Sequence, residues 1–202
     1  LTLPSSLNAI GVAAFRGNML TSIDIPSTVT YLGGGAFTAN NITGDAAIIY
    51  ARNSDGSINY NSLSSYAGKN ATGTTIPPVQ TIMNSAYRGV RFEEVVLPDT
   101  VKKIDTLAFS GSSIKKLVLN EGLIIIEQQG FEANNLEGTL TIPNTVTNIG
   151  SKVFKDNQFK TVIIGDKIKV IYKDAFYRTP ITSITINRKE GSVSGSPWGA
   201  VG

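Results

Sequence analysis

The sequence predicts a mainly β fold: a right-handed solenoid of seven or eight short coils of about 22 residues each, with short parallel strands, one β-hairpin insertion and a C-terminal cap. Three observations carry this. Aromatic residues preceded by a small or apolar one recur at Ala14-Phe15, Ala36-Phe37, Ala86-Tyr87, Ala108-Phe109, Gly130-Phe131, Val153-Phe154 and Ala175-Phe176, at intervals of 22, 50, 22, 22, 23 and 22. Apolar residues between the aromatics keep the same register. The chain also holds 20 Gly and leans towards Ile, Val, Thr, Ser and Asn, a mix that favours strands joined by tight turns.

The unit reads L-x-x-I-x-I-P-x-x-V-x-x-I-G-x-x-A-F-x-x-N. Leu20, Ile23, Ile25, Pro26, Val29, Leu32 and Gly33 fill it before Ala36-Phe37, and Phe92, Val95, Leu97, Pro98, Val101 and Ile104 fill it before Ala108-Phe109. After Phe131 the frame gains one residue, giving Leu136, Leu140, Ile142, Pro143, Val146 and Ile149. The first half alternates and is β-branched, which predicts a short strand. Pro or Asn stops that strand. The V-x-x-I-G segment then runs along a second side, and A-F closes the coil with an aromatic plug. One such unit cannot bury its apolar side, whereas stacked units with strands ~4.8 Å apart can.

Asn18, Asn40, Asn134 and Asn157 each follow an aromatic by three residues. An amide there satisfies turn backbone that would otherwise be buried without a partner, so these positions predict an asparagine ladder.

The stretch Leu20-Thr-Ser-Ile-Asp-Ile-Pro-Ser-Thr-Val-Thr-Tyr-Leu-Gly-Gly-Gly-Ala-Phe37 and its counterpart Leu136 to Phe154 resemble the BspA-like leucine-rich repeat proteins of bacterial cell surfaces. The resemblance covers nearly the whole chain. It implies a leucine-rich-repeat solenoid, an extracellular or surface-anchored protein, and a role in adhesion or recognition of protein or glycan at a cell surface or matrix. It implies no catalytic residues. Family members often carry Cys where this chain has Asn18 and its equivalents.

The interval of 50 between Phe37 and Tyr87 exceeds one repeat by about 28 residues. Residues 49–75 are therefore expected to form an insertion. Asp55-Gly56 between two alternating runs predicts a hairpin turn, because Gly tolerates positive φ. The polar segment from Asn61 to Thr75 reads as a loop or irregular return. Tyr50, Arg52, Tyr60 and Tyr66 are residue types favoured at interfaces, and they equally suit packing of the hairpin onto the stack. Residues 187–202 read as a cap over the last coil, with Trp198 folding back over it or, alternatively, stacking on carbohydrate.

The chain is expected to be a single solenoid domain over residues 1–202, cut from a longer protein with flanking domains, since Leu1-Thr2-Leu3-Pro4 reads as mid-repeat. Cys and His are absent. That excludes disulfides, thiolate metal sites and Ser-His-Asp or Cys-His catalysis, and no cofactor is implied. A net charge of +3 with interleaved acids reads as a solvated face, with no expectation of nucleic acid as partner. No apolar run is long enough to insert in a bilayer. Glu93-Glu94 and, one repeat on, Lys115-Lys116 are expected to face each other as an ion-pair ladder. Ile124 and Ile125 break the polar pattern of the second side, with Val170 in a related column two units on, so that face is expected to touch a partner. The candidate surface is Glu93, Glu94, Lys115, Lys116, Ile124, Ile125, Tyr50, Arg52 and Tyr60. Recognition through it is the leading expectation, and a stalk or spacer without a ligand is the alternative.

Overall fold

Small, β-rich repeats closed by an aromatic build a stack in which every coil covers its neighbour's apolar edge. The structure, a computed structural model, describes residues 1–72 and 76–187. The predicted cap and Trp198 lie outside the described residues, apart from Asn187.

The strands run in chain order as β1 (Ala9–Ile10), β2 (Tyr31–Leu32), β3 (Ile48–Arg52), β4 (Ile58–Tyr66), β5 (Thr81–Ile82), β6 (Glu94–Val96), β7 (Lys103–Ile104), β8 (Lys116–Val118), β9 (Ile125–Ile126), β10 (Thr139–Ile142), β11 (Asn148–Ile149), β12 (Thr161–Ile164), β13 (Val170–Ile171) and β14 (Ser183–Ile186). The longest ladder lies on the second side of the coil, in the order β13-β11-β9-β7-β5-β4-β3, and is parallel except for β3–β4. The first side carries β6–β8 and β10–β12–β14. These two sheets are separate because the extra residue after Phe131 falls at Glu137-Gly138, where Gly138 adopts φ 75° and Glu137 N–H bonds Lys115 O at 3.1 Å.

The aromatic column forms as expected. Ring centroids are 5.2 Å apart for Phe15–Phe37, 5.0 Å for Tyr87–Phe109, 5.1 Å for Phe109–Phe131, 5.8 Å for Phe131–Phe154 and 5.5 Å for Phe154–Phe176. Rung spacing forces the rings parallel. Phe92 and Phe159 then meet the column edge-on, at 68° to Tyr87 and 84° to Phe154. Behind the rings, Val29, Leu32, Leu63, Ile82, Ile104, Ile126 and Ile149 are fully or almost fully buried. Each contributes about 1.5–3 kcal/mol on leaving water.

The long interval holds a coil of its own. Tyr66 stacks on Tyr87 at 5.5 Å and is buried, so the span of 50 divides into 29 and 21 residues. Tyr66 therefore heads a stack of six rings with Tyr87, Phe109, Phe131, Phe154 and Phe176, while Phe15 and Phe37 stack as a pair in the first coils. This corrects the loop expected from Asn61 to Thr75, because Asn61–Tyr66 belongs to β4 and Ser62-Leu63 pair in parallel with Thr81-Ile82. The segment is polar because its serines bond backbone in the interior. Ser64 Oγ donates to Gly33 O at 3.0 Å, and Phe37 N–H donates to Ser65 Oγ at 3.2 Å.

This extra coil is so short at its turn that the coils on either side touch. A Cβ on Gly34 would lie 2.4 Å from Asn84 O, and one on Gly35 would lie 2.7 Å from Ser85 Cβ. Gly34 and Gly35 leave room for that contact, while a Cβ on Gly33 would lie 2.4 Å from Val12 N on the preceding coil.

Every coil with a described aromatic except that of Tyr66 bends twice through the left-handed region, two residues before and two after its aromatic. The positions before are Ala13, Gly35, Ser85, Leu107, Gln129, Lys152 and Asp174, and those after are Gly17, Ala39, Gly89, Gly111, Ala133, Asp156 and Arg178. Stacking holds them there: around Phe131, the N–H groups of Gln129, Phe131 and Ala133 donate to Ser151 O, Val153 O and Lys155 O on the next coil.

Candidate functional site

The strand-side face is where the repeat displays chemistry rather than packing. Alternation sends Val95 and Leu140 inward and leaves their neighbours in water. Glu94 stands opposite Lys116 across β6–β8, and Glu93 lies 3.9 Å from Lys115. The side chains of that pair are 87% and 54% exposed, so the attraction is screened and worth under about 1 kcal/mol. These four residues, with Ala71, Thr72 and Glu137, line an open hollow of about 570 Å³. Thr139, Thr161 and Ser183 form a polar column on the neighbouring sheet. Val96 and Val118 are exposed and directly opposite each other.

The hairpin turns at Asn53–Ser57 as Asp55-Gly56 predicts, with Gly56 at φ 83° and the Asp55 carboxylate accepting from Ser57 N–H at 2.9 Å. Those bonds from Ser57 hold the Asp55 pKa below its ordinary value. Its tip packs on the first coils, where a Cβ on Gly56 would lie 2.1 Å from Ser27 O. Arg52 donates to Gly56 O at 3.4 Å and Ile25 O at 3.3 Å, which ties hairpin to stack. Tyr50 packs against the core, and Tyr60 meets it edge-on at 4.9 Å while staying largely exposed. Burial, then Tyr60 and Asp45, raise the Tyr50 pKa. Of the hairpin candidates, Tyr60 alone faces solvent.

Ile124 is exposed, and its backbone bonds place it between Lys102 and Thr147. Ile125 is half-buried between Lys103 and Asn148, and Asn148 separates it from Val170. The three apolar residues share a side without forming one patch.

The asparagine ladder spans coils. Asn134 Nδ2 donates to Phe131 O of its own coil and to Phe109 O of the coil before, while its Oδ1 accepts from Ser112 N–H and Ile114 N–H. Asn157 repeats this with Phe154 O, Phe131 O and Leu136 N–H. Ser112 and Thr179 fill the same rung, donating to Tyr87 O and Phe154 O. Asparagine spacing alone does not reveal these two.

Another feature stands on the turn edge. Lys155 Nζ lies 2.9 Å from Glu132 and 3.2 Å from Asp156, Arg178 lies 3.1 Å from Asp156, and Gln129 donates to Glu132. The bond to Glu132, then that to Asp156, raises the Lys155 pKa. The charged residues follow their aromatics by one or two positions, and Gln129 precedes Phe131 by two. Among the described residues, no group of three Asp or Glu side chains gathers to hold a metal ion, and no helix is long and apolar enough to cross a membrane.

Stacked parallel coils, most of 22 to 23 residues, closed by aromatics and amide ladders, define a leucine-rich-repeat β-solenoid with an open display face. The chain belongs to the BspA type leucine rich repeat region family, whose model matches six copies over residues 1–78 and 80–195. It is similar to the crystal structure of a leucine rich cell surface protein from Faecalibacterium prausnitzii A2-165, with 22% identity and a TM-score of 0.71 over 94% of this chain and 54% of that one. It is also similar to the pneumococcal vaccine antigen PcpA, with 17% identity and a TM-score of 0.65 over 92% of this chain and 49% of that one. The chain thus spans about half the length of either structure. Nothing among curated proteins matches it.

Proposed function

We propose that this chain is a non-enzymatic recognition module, displayed outside a bacterial cell, that binds protein or glycan through its strand-side face. The observation that supports this most is the register of that face. Glu94 opposite Lys116, Val96 opposite Val118, and the Thr139–Thr161–Ser183 column present both charges, hydroxyls and methyls at the repeat spacing along the stack. An extended ligand gains small contributions from many such rungs, and no deep cleft is needed. The family's cell-surface members accord with this.

The test is binding of the folded chain to a panel of host matrix proteins and glycans, alongside Glu93→Lys/Glu94→Lys and Lys115→Glu/Lys116→Glu. A ligand whose affinity falls in either charge-reversed variant, with melting temperature retained, supports the reading. A wild-type chain that binds nothing in the panel overturns it in favour of a spacer.

A further inference from the structure

On the strand side, the repeat breaks between the coils of Phe37 and Tyr66. After Ile42 the first of these leaves the strand path in a 3-10 turn, Gly44–Ala47, while the second runs on to Asn70. That second segment pairs with the coil after it: Ala71 N–H donates to Arg91 O, and Arg91 N–H to Lys69 O, both at 2.9 Å. With the coil before, the bonds stop at Ala67. Ile42 N–H reaches Ala67 O at 3.2 Å and Ala67 N–H reaches Ala47 O at 2.7 Å, and among the described residues none joins Thr43 to Lys69 or Asn70. The ladder breaks at the same place. Lys69 follows Tyr66 by three residues, the position that Asn40, Asn134 and Asn157 hold. Ile42 N–H therefore takes a carbonyl where Ile114 and Leu136 N–H take an amide.

A hollow of about 400 Å³ opens in this gap, within the range of about 300–1,000 Å³ usual for small-molecule sites. Ile42 and Tyr66, both buried, give it an apolar floor. Tyr66 Oη donates to Asn70 O at 2.9 Å, and a Cβ on Gly68 would lie 2.7 Å from Tyr66 Cε1, so floor and rim are fixed against each other. Asn41, Thr43, Lys69 and Asn70 form the exposed rim. Among the described residues their side chains make no hydrogen bond or ion pair, and Thr43 does not cap the turn it precedes. The N–H groups of Gly68, Lys69 and Asn70 likewise find no acceptor there. No lining side chain is acidic, so unspent donors outnumber acceptors and Lys69 sets the sign of the charge.

We infer that this hollow binds a carboxylate-bearing sugar residue of a glycan. Such a ring lays its C–H face on Ile42 and Tyr66. Its hydroxyls exchange hydrogen bonds with Asn41, Thr43 and Asn70, which both donate and accept, and its carboxylate pairs with Lys69. The inference deepens the reading of the strand side as a recognition face and rests on it, since Thr43 occupies the repeat position of Glu93, Lys115 and Glu137.

The test is titration calorimetry of the whole chain with two matched pairs: sialyllactose against lactose, and oligogalacturonate against its methyl ester. The acid of at least one pair is expected to bind about tenfold or more tighter than its neutral counterpart, the gain from one charge-assisted bond. Lys69→Gln is expected to abolish that preference, and Thr43→Val and Asn41→Ala to weaken the acid and the neutral form alike, all with melting temperature retained. Lys160→Gln, which removes an exposed lysine outside the hollow, is expected to keep the preference. Neutral and acid sugars bound equally, an acid preference that survives Lys69→Gln, or a wild type that binds neither acid would each overturn the site. A matrix ligand that is lost in Lys115→Glu/Lys116→Glu, in a chain that ignores both acids, overturns this site and leaves the strand-side face standing.

Discussion

Asn134 and Phe109 belong to neighbouring coils, and the Asn134 amide donates to the Phe109 carbonyl at 2.9 Å while also holding the Phe131 carbonyl at 3.0 Å. One side chain thus satisfies the backbone of two rungs at the point where each coil turns behind its aromatic.

Asn134→Ala strips partners from two buried carbonyls and from the N–H groups of Ser112 and Ile114. A loss of about 2–4 kcal/mol is expected. Asn18, exposed and bonded only to Phe15 O of its own coil, is expected to lose under about 1 kcal/mol on the same change. Urea unfolding measures both, and equal losses would contradict the cross-coil ladder.

Lys152 sits at φ 58°, a conformation that costs a residue with a Cβ about 1–2 kcal/mol. Lys152→Gly removes that strain at an entropic cost of about 0.5–1 kcal/mol, so stability should hold or rise by up to about 1 kcal/mol. Thr161→Gly in β12 has no strain to relieve and should lose about 0.5–1 kcal/mol. If both variants fall alike in denaturant melts, the left-handed turns carry no strain.

Gly34→Ala drives a methyl against Asn84 O, where backbone faces backbone. Overpacking of this kind costs about 1–3 kcal/mol. Gly11→Ala meets nothing within 4 Å and should stay within about 0.5 kcal/mol of the parent. Calorimetric melting temperatures compare the two.

The chain has no His, so no imidazole charge change falls within the neutral range. Above about pH 10 the balance shifts. Burial pushes the Tyr87 pKa well above its ordinary value. Below the unfolded value near 10 the phenol is neutral in both states; above it only the unfolded chain releases the proton, and stability falls by about 1.4 kcal/mol per pH unit. Lys155, also raised, acts with the same sign, since its pairing is lost as pH climbs through its folded value. Tyr87→Phe should keep the ring in the column and flatten the alkaline limb of the stability curve. An unchanged limb would place the titrating group elsewhere.

Periodicity alone determined the rungs of this protein. Phe109, Phe131 and Phe154 had to align, and Asn134 and Asn157 had to bond turn backbone, because each coil repeats the chemistry of the last and stacking is the one way to bury it. The opposition of Glu93-Glu94 and Lys115-Lys116 followed from the same register. Tertiary structure decided what happens where the period breaks. Tyr66 became a rung and Gly34 met Asn84, because these contacts join residues 21 and 50 positions apart across a coil of irregular length. The left-handed turns at Lys152 and Leu107 were equally invisible, since their side chains do not favour that conformation and hydrogen bonds from the adjacent coil impose it.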